Sequence, residues 1–212
     1  MKIPVGGLLI LLLALPTAAG VRAGLSRVPV EEAPDYASED PSASQMRDEA
    51  VHAIAGWPDA SRKTAELIME KYGAPNAIGD RVLVWNGNTP WKLTLVHRED
   101  PGLYPTRGGS LQQVIDYEVP KDSVTALEEL DAGLSVSPNR RELSGTNVSE
   151  EENFLAVNLA HEIITGRSTP AQARSKYALT MALRDSGKSS PLTSRLLFEP
   201  AKARAYPAWM RP

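Results

Sequence analysis

The chain has 212 residues, 42% of them hydrophobic and 23% charged, with a formal net charge of −3 and no cysteine. The lack of cysteine excludes disulfides, thiol catalysis, cysteine-ligated zinc or iron–sulfur centres and a lipid-bearing cysteine anchor. The mild negative charge excludes a nucleic-acid footprint over the whole molecule, and the length suits one domain whose core needs no staples.

Lys2, an apolar run from Val5 to Leu15, Pro16 and the small residues Thr17-Ala18-Ala19 follow the order of a cleavable export signal. The run is shorter than the roughly 20 apolar residues a spanning helix needs. Residues 1–23 are therefore expected to be a signal peptide, cleaved after Ala19 or Ala23, and the mature protein to be periplasmic or secreted with no transmembrane span. Glu31, Glu32, Asp35, Glu39 and Asp40, with Pro29, Pro34 and Pro41, make 24–43 an expected disordered acidic linker.

A single domain is expected over 44–187. Met46, Ala50, Ala53 and Ile54 share a helical face that stops at Gly56. A second helix opens at Pro58, repeats apolar spacing through Ala60, Thr64, Leu67, Ile68 and Tyr72, and ends at Gly73 and Pro75. Arg81 to Trp85 and Trp91 to His97 read as a hairpin across Asn86-Gly87-Asn88-Thr89-Pro90. In its second strand Trp91, Leu93, Leu95 and His97 alternate with Lys92, Thr94, Val96 and Arg98, which predicts one inward face.

Glu99 to Ser110 reads as a loop, Leu111 to Val119 as a strand, and 122–131 as a short helix. Leu134 to Ser137 and Arg141 to Ser144 are two more strands around Pro138-Asn139. Ser149 with Glu152 opens a helix to Thr165 and Gly166, and Thr169, Pro170 and Gln172 open another to about Asp185. The order predicts an α+β fold, a small antiparallel sheet flanked by helices before and after it. Residues 188–212 form a basic aromatic tail: Leu192, Leu196, Leu197, Phe198, Tyr206 and Trp209 interleave with Arg195, Lys202, Arg204 and Arg211.

Three stretches carry a resemblance. Trp57-Pro58-Asp59-Ala60-Ser61-Arg62 leads to Lys71-Tyr72-Gly73-Ala74-Pro75; the hairpin ends Trp91-Lys92; and Asn153-Phe154-Leu155 leads to Asn158-Leu159-Ala160-His161-Glu162-Ile163-Ile164-Thr165-Gly166. Over roughly 45–180 the chain resembles a family of uncharacterised exported bacterial proteins with WPxxSR, KYGxP and AHEIITG motifs. The resemblance implies bacterial origin and one domain, and brings no activity.

Candidate chemistry is sparse. Asn158, His161, Glu162 and Thr165 fall on one side of the helix at about 100° per residue, opposite an apolar arc. His161 is a candidate general base beside Glu162 and Asn158, although the same stripe is what an amphipathic surface helix displays. The second histidine of a zinc-protease helix is missing. His52, one turn after Asp48, and His97 at a strand end do not add up to a metal site. Trp85 and Trp91 flank the hairpin loop and read either as a cross-strand pair or as ligand-binding rings that stack on a glycan.

The chain is thus expected to be an exported bacterial envelope protein that binds a partner without catalysis and without a cofactor. The partner expected is another envelope protein or an anionic membrane surface, met by the charged ends. The alternatives are an enzyme using His161 and Glu162, or a glycan-binding module using Trp85 and Trp91.

Overall fold

The computed structural model describes residues 41–102 and 109–200. The expected signal peptide, most of the acidic linker, the middle of the loop after His97 and the last part of the tail, with Tyr206 and Trp209, lie outside these residues. Helix α1, Pro41–Ile54, opens inside the stretch expected to be linker, with the proline in its first turn, where a missing amide hydrogen is harmless. Trp57 closes the turn that follows, its amide donating to Ile54 O, and Pro58 launches α2, Asp59–Tyr72, which stops at Gly73 with φ of 79°.

The strands are β1 Ala77–Gly79, β2 Val82–Asn86, β3 Leu93–His97, β4 Leu111–Asp116, β5 Leu134–Ser137 and β6 Glu142–Asn147. They form one antiparallel sheet in the order β1-β2-β3-β4-β6-β5. Helix α3, Val124–Leu130, links β4 to β5, and α4 Glu150–Ile164, α5 Pro170–Asp185 and α6 Pro191–Ser194 follow the sheet. Helices before and after an antiparallel sheet make the fold α+β, as the order of sequence patterns predicts. Both long late helices start at the expected residues. Ser149 accepts from the Glu152 amide, and Thr169 with Gln172 forms the full reciprocal capping box.

One face of the sheet is covered along its whole width. Register and two-residue alternation place Leu83 and Trp85, Thr94 and Val96, Leu111, Gln113 and Ile115, and Leu143, Gly145 and Asn147 on that face. Helices α1 and α2 bury one half of it in a cluster of Ala50, Ile54, Trp57, Ala65, Ile68, Met69, Leu83, Trp85, Val96 and Leu111. Helix α4, backed by α3 and α5, buries the other half around Ile115, Leu143, Phe154, Leu155 and Leu159.

Two expected faces are corrected here. In β3 the buried residues are Thr94 and Val96, while Leu93, Leu95 and His97 are half-buried on the opposite side. Trp91 precedes the strand and does not fix its phase, and the Thr94 hydroxyl is satisfied by the Asn88 side-chain amide at 2.9 Å, so a polar residue fits the inner face. In α2 the buried set is Ser61, Ala65, Ile68 and Met69, so the apolar stripe is rotated away from Ala60 and Leu67. Ser61 joins it because its hydroxyl donates to Arg98 O at 2.6 Å.

Candidate binding cleft

Between the two apolar clusters runs a seam of polar side chains. The Asn88 and Gln113 amides meet at the Thr94 hydroxyl, Gln113 Oε1 accepts from Asn153 Nδ2 at 3.0 Å, and Asn153 Oδ1 accepts from Asn147 Nδ2 at 3.0 Å. Asn147 Nδ2 also donates to Ala132 O at 3.1 Å, and Asn153 Nδ2 to Leu111 O at 3.2 Å. Gly145 makes room for this chain of amides: a Cβ there would stand 2.7 Å from Asn153 Oδ1. Asn147 is therefore committed to the interior.

The seam branches at Gln113 to Glu150, the first residue of α4. Glu150 Oε1 accepts from Trp91 Nε1 at 2.7 Å, from Gln113 Nε2 at 3.0 Å and from the Tyr72 hydroxyl, and Oε2 meets Lys71 Nζ. Burial opposes ionisation of this carboxyl, but the bonds from Lys71, Tyr72, Trp91 and Gln113 outweigh it and hold its pKa below the usual value. Burial, followed by the bond to Glu150, pushes the Tyr72 hydroxyl the other way, upwards. One charged group thus ties α2, the end of the β2–β3 loop, β4 and α4 together. Its position at a helix N-terminus favours its negative charge further.

Beside this node lies a cleft of about 600 Å³ between α2, the start of α4 and the α5–α6 connection. Ile68, Leu111 and Phe154 are buried residues of its lining, and Lys71, Arg184 and Ser194 are among the polar ones. Two large aliphatic residues of the lining face solvent: Leu67 is 65% exposed and Val148 55%. Volume and mixed lining fall in the range typical of ligand pockets. Of the Glu150 node the sequence offers only Trp91 as a candidate site residue, and Lys71 and Tyr72 only as parts of a helix and its motif. A run of glutamates at a capped helix start reads as dipole compensation, and its partners come from elements distant in sequence.

The residues singled out for catalysis stand elsewhere, and they are engaged. Asn158 is 2% exposed; its Nδ2 donates to Leu192 O at 3.0 Å and Arg195 O at 2.8 Å, and its Oδ1 accepts from Leu197 N at 2.8 Å. His161 stacks on Phe198 with ring centroids 4.1 Å apart and planes 11° from parallel, and its Nδ1 lies 2.8 Å from the Tyr117 hydroxyl. Burial, and then the charge of Arg167, push the imidazole below its ordinary pKa, with Glu162 opposing. Glu162 points to other partners, Ser168 Oγ and Lys176 Nζ, each at 2.6 Å from Oε2. Burial opposes its ionisation too, and these two bonds bring its pKa down. Asn158 and His161 therefore grip residues 191–198, which were expected to lie beyond the domain as tail, whereas Glu162 belongs to the α4–α5 junction.

The expected stacking rings are interior. Trp85 and Trp91 are 2% and 1% exposed. Trp85 pairs across the hairpin with Thr94, not with Trp91, and its Nε1 donates to Gly73 O at 3.0 Å. Trp91 packs on Phe154 at 4.9 Å. Neither presents a ring face for a glycan to stack on. His52, His97 and His161 sit on α1, β3 and α4, and no group of three metal-ligating side chains converges among the described residues. Among those residues no helix is long and apolar enough to cross a membrane. A scan against protein-family models and searches of the curated proteins and of the solved structures find no match for the chain.

Proposed function

We propose that the chain is an exported bacterial envelope protein whose folded domain serves to bind a partner, and that the cleft beside Glu150 is where it does so. The supporting observation is the pair Leu67 and Val148, two large aliphatic side chains left in solvent on the lining of one concave site. The Glu150 bonds hold that lining in place before anything binds, which limits the entropy lost on association. Export is supported by the order of charge, apolar run and small residues in 1–23.

The test is a pair of charge insertions, Leu67→Glu and Val148→Glu, in capture experiments from envelope extracts. Binding at the cleft predicts at least a tenfold loss of the partner retained by the wild-type chain, with thermal unfolding unchanged because both side chains face solvent. Undiminished capture by both variants sinks the reading. N-terminal sequencing of the secreted form is expected to begin at Gly20 or Gly24; an intact Met1 would remove the export half.

A further inference from the structure

The grip of α4 on residues 191–198 is that of a receptor on a peptide. All three hydrogen bonds of the Asn158 side chain go to main-chain groups of that segment. Leu192, Leu196 and Phe198 pack against the same apolar cluster as α4, and Phe198 packs on the hydrogen-bonded pair His161 and Tyr117, stacked on the first and edge-on to the second at 5.5 Å. The connection back to α5 differs in kind. Residues 185–189 are exposed, and the chain reverses at Gly187, whose φ is 78°.

We propose that this groove is an exchange site, in which the Pro191–Phe198 segment of a second copy of the chain takes the place of the molecule's own. The one sequence known to match Asn158, His161 and Tyr117 is the chain's own, which makes a second copy the fitting occupant. Reciprocal exchange keeps every contact of the segment and closes about a two-fold axis, so the balance between one copy and two is set by the turn at Gly187. Thr193 and Ser194 also line the cleft beside Glu150. In the exchanged dimer each cleft takes these two residues from the other copy, a consequence that goes beyond partner binding at Leu67 and Val148 and does not depend on it.

Gly187→Val in the full chain provides the first arm. No atom stands within 4 Å of a Cβ at this position, so the substitution strains only the positive-φ backbone that folds the segment back. Two relieved turns per dimer are expected to raise the association constant roughly 30-fold or more, read by light scattering across a concentration series. Ending the Gly187→Val chain before Pro191 removes the exchanged segment and must return it to monomer; a dimer that survives without the segment overturns the proposal. The second arm needs no strained turn. A Phe198→Asp chain keeps the groove and loses the segment, while an Asn158→Ala chain keeps the segment and loses the groove. Mixed in equal amounts they are expected to form a heterodimer, with amide protection restored to residues 192–198 of the Asn158→Ala copy. If both variants are folded and the mixture stays monomeric, the exchange does not occur.

Discussion

Two buried polar assemblies face each other along α4, and they are built on opposite plans. At its N-terminal end Glu150 and Asn153 are knitted into four separate elements, so that α2, the β2–β3 loop, β4 and β6 are fixed in one step. In its second half Asn158 gives all its bonds to one short segment close to the chain's end. The first arrangement makes tertiary structure cooperative. The second leaves a piece whose release exposes a few groups to water and disturbs little else.

The sharpest way to break this contrast is Glu150→Ala. Removal of the carboxylate leaves the buried donors Trp91 Nε1 and Gln113 Nε2 without this acceptor, while the half-exposed Lys71 ammonium turns to water, and a loss of about 2–4 kcal/mol is expected in urea unfolding. A loss under 1 kcal/mol would show that the node is not what joins the two clusters. Asn158→Ala removes three bonds of comparable geometry, yet the global midpoint should shift by only about 1 kcal/mol, since the freed main-chain groups can reach water. Hydrogen exchange should instead rise selectively in residues 192–198. If both variants unfold the whole chain equally, the distinction between the two plans is lost.

Acid separates them by a smaller effect. His161 has its pKa depressed in the folded state, so the unfolded chain binds more protons as pH drops, and the stability held above the ordinary value of 6.5 is lost progressively below it. Glu150 is also depressed, and its contribution is lost only as pH falls below 4.5 towards its folded value. Protection factors at 192–198, corrected for the intrinsic pH dependence of exchange, are therefore expected to fall as pH drops below 6.5 while the seam amides stay protected. His161→Phe, which keeps the stack on Phe198 without titrating, should remove the first window and leave the second.

Most of the elements were legible in the sequence because their signals are local. Pro58 and Gly73 bracket α2, Thr169 and Gln172 cap α5, and the β2–β3 hairpin announces itself through its β-branched and aromatic runs. Strand β1 escaped because three residues, one of them Gly79, are too few to show an alternation. The faces of α2 and β3 were misread for one shared reason. Ser61 and Thr94 are buried with hydroxyls satisfied by residues remote in sequence, and such partners are invisible before the register is known. The polar stripe Asn158–His161 was legible as a stripe but not as a contact surface, because α4 meets the sheet on one side and the C-terminal segment on another.

The strands at the rims of the sheet, β1 with three residues and β5 with four, are its shortest. Pro75 stands just before one and Pro138 directly after the other, each a residue that cannot donate to a ladder. A foreign strand laid along either rim would find a template only a few residues long, flanked by a proline. A chain with no disulfide to lock it is most vulnerable to such edge pairing while it folds. Short, proline-flanked rims direct association away from the open ladder and towards the helical side, where the cleft and the α4 groove lie.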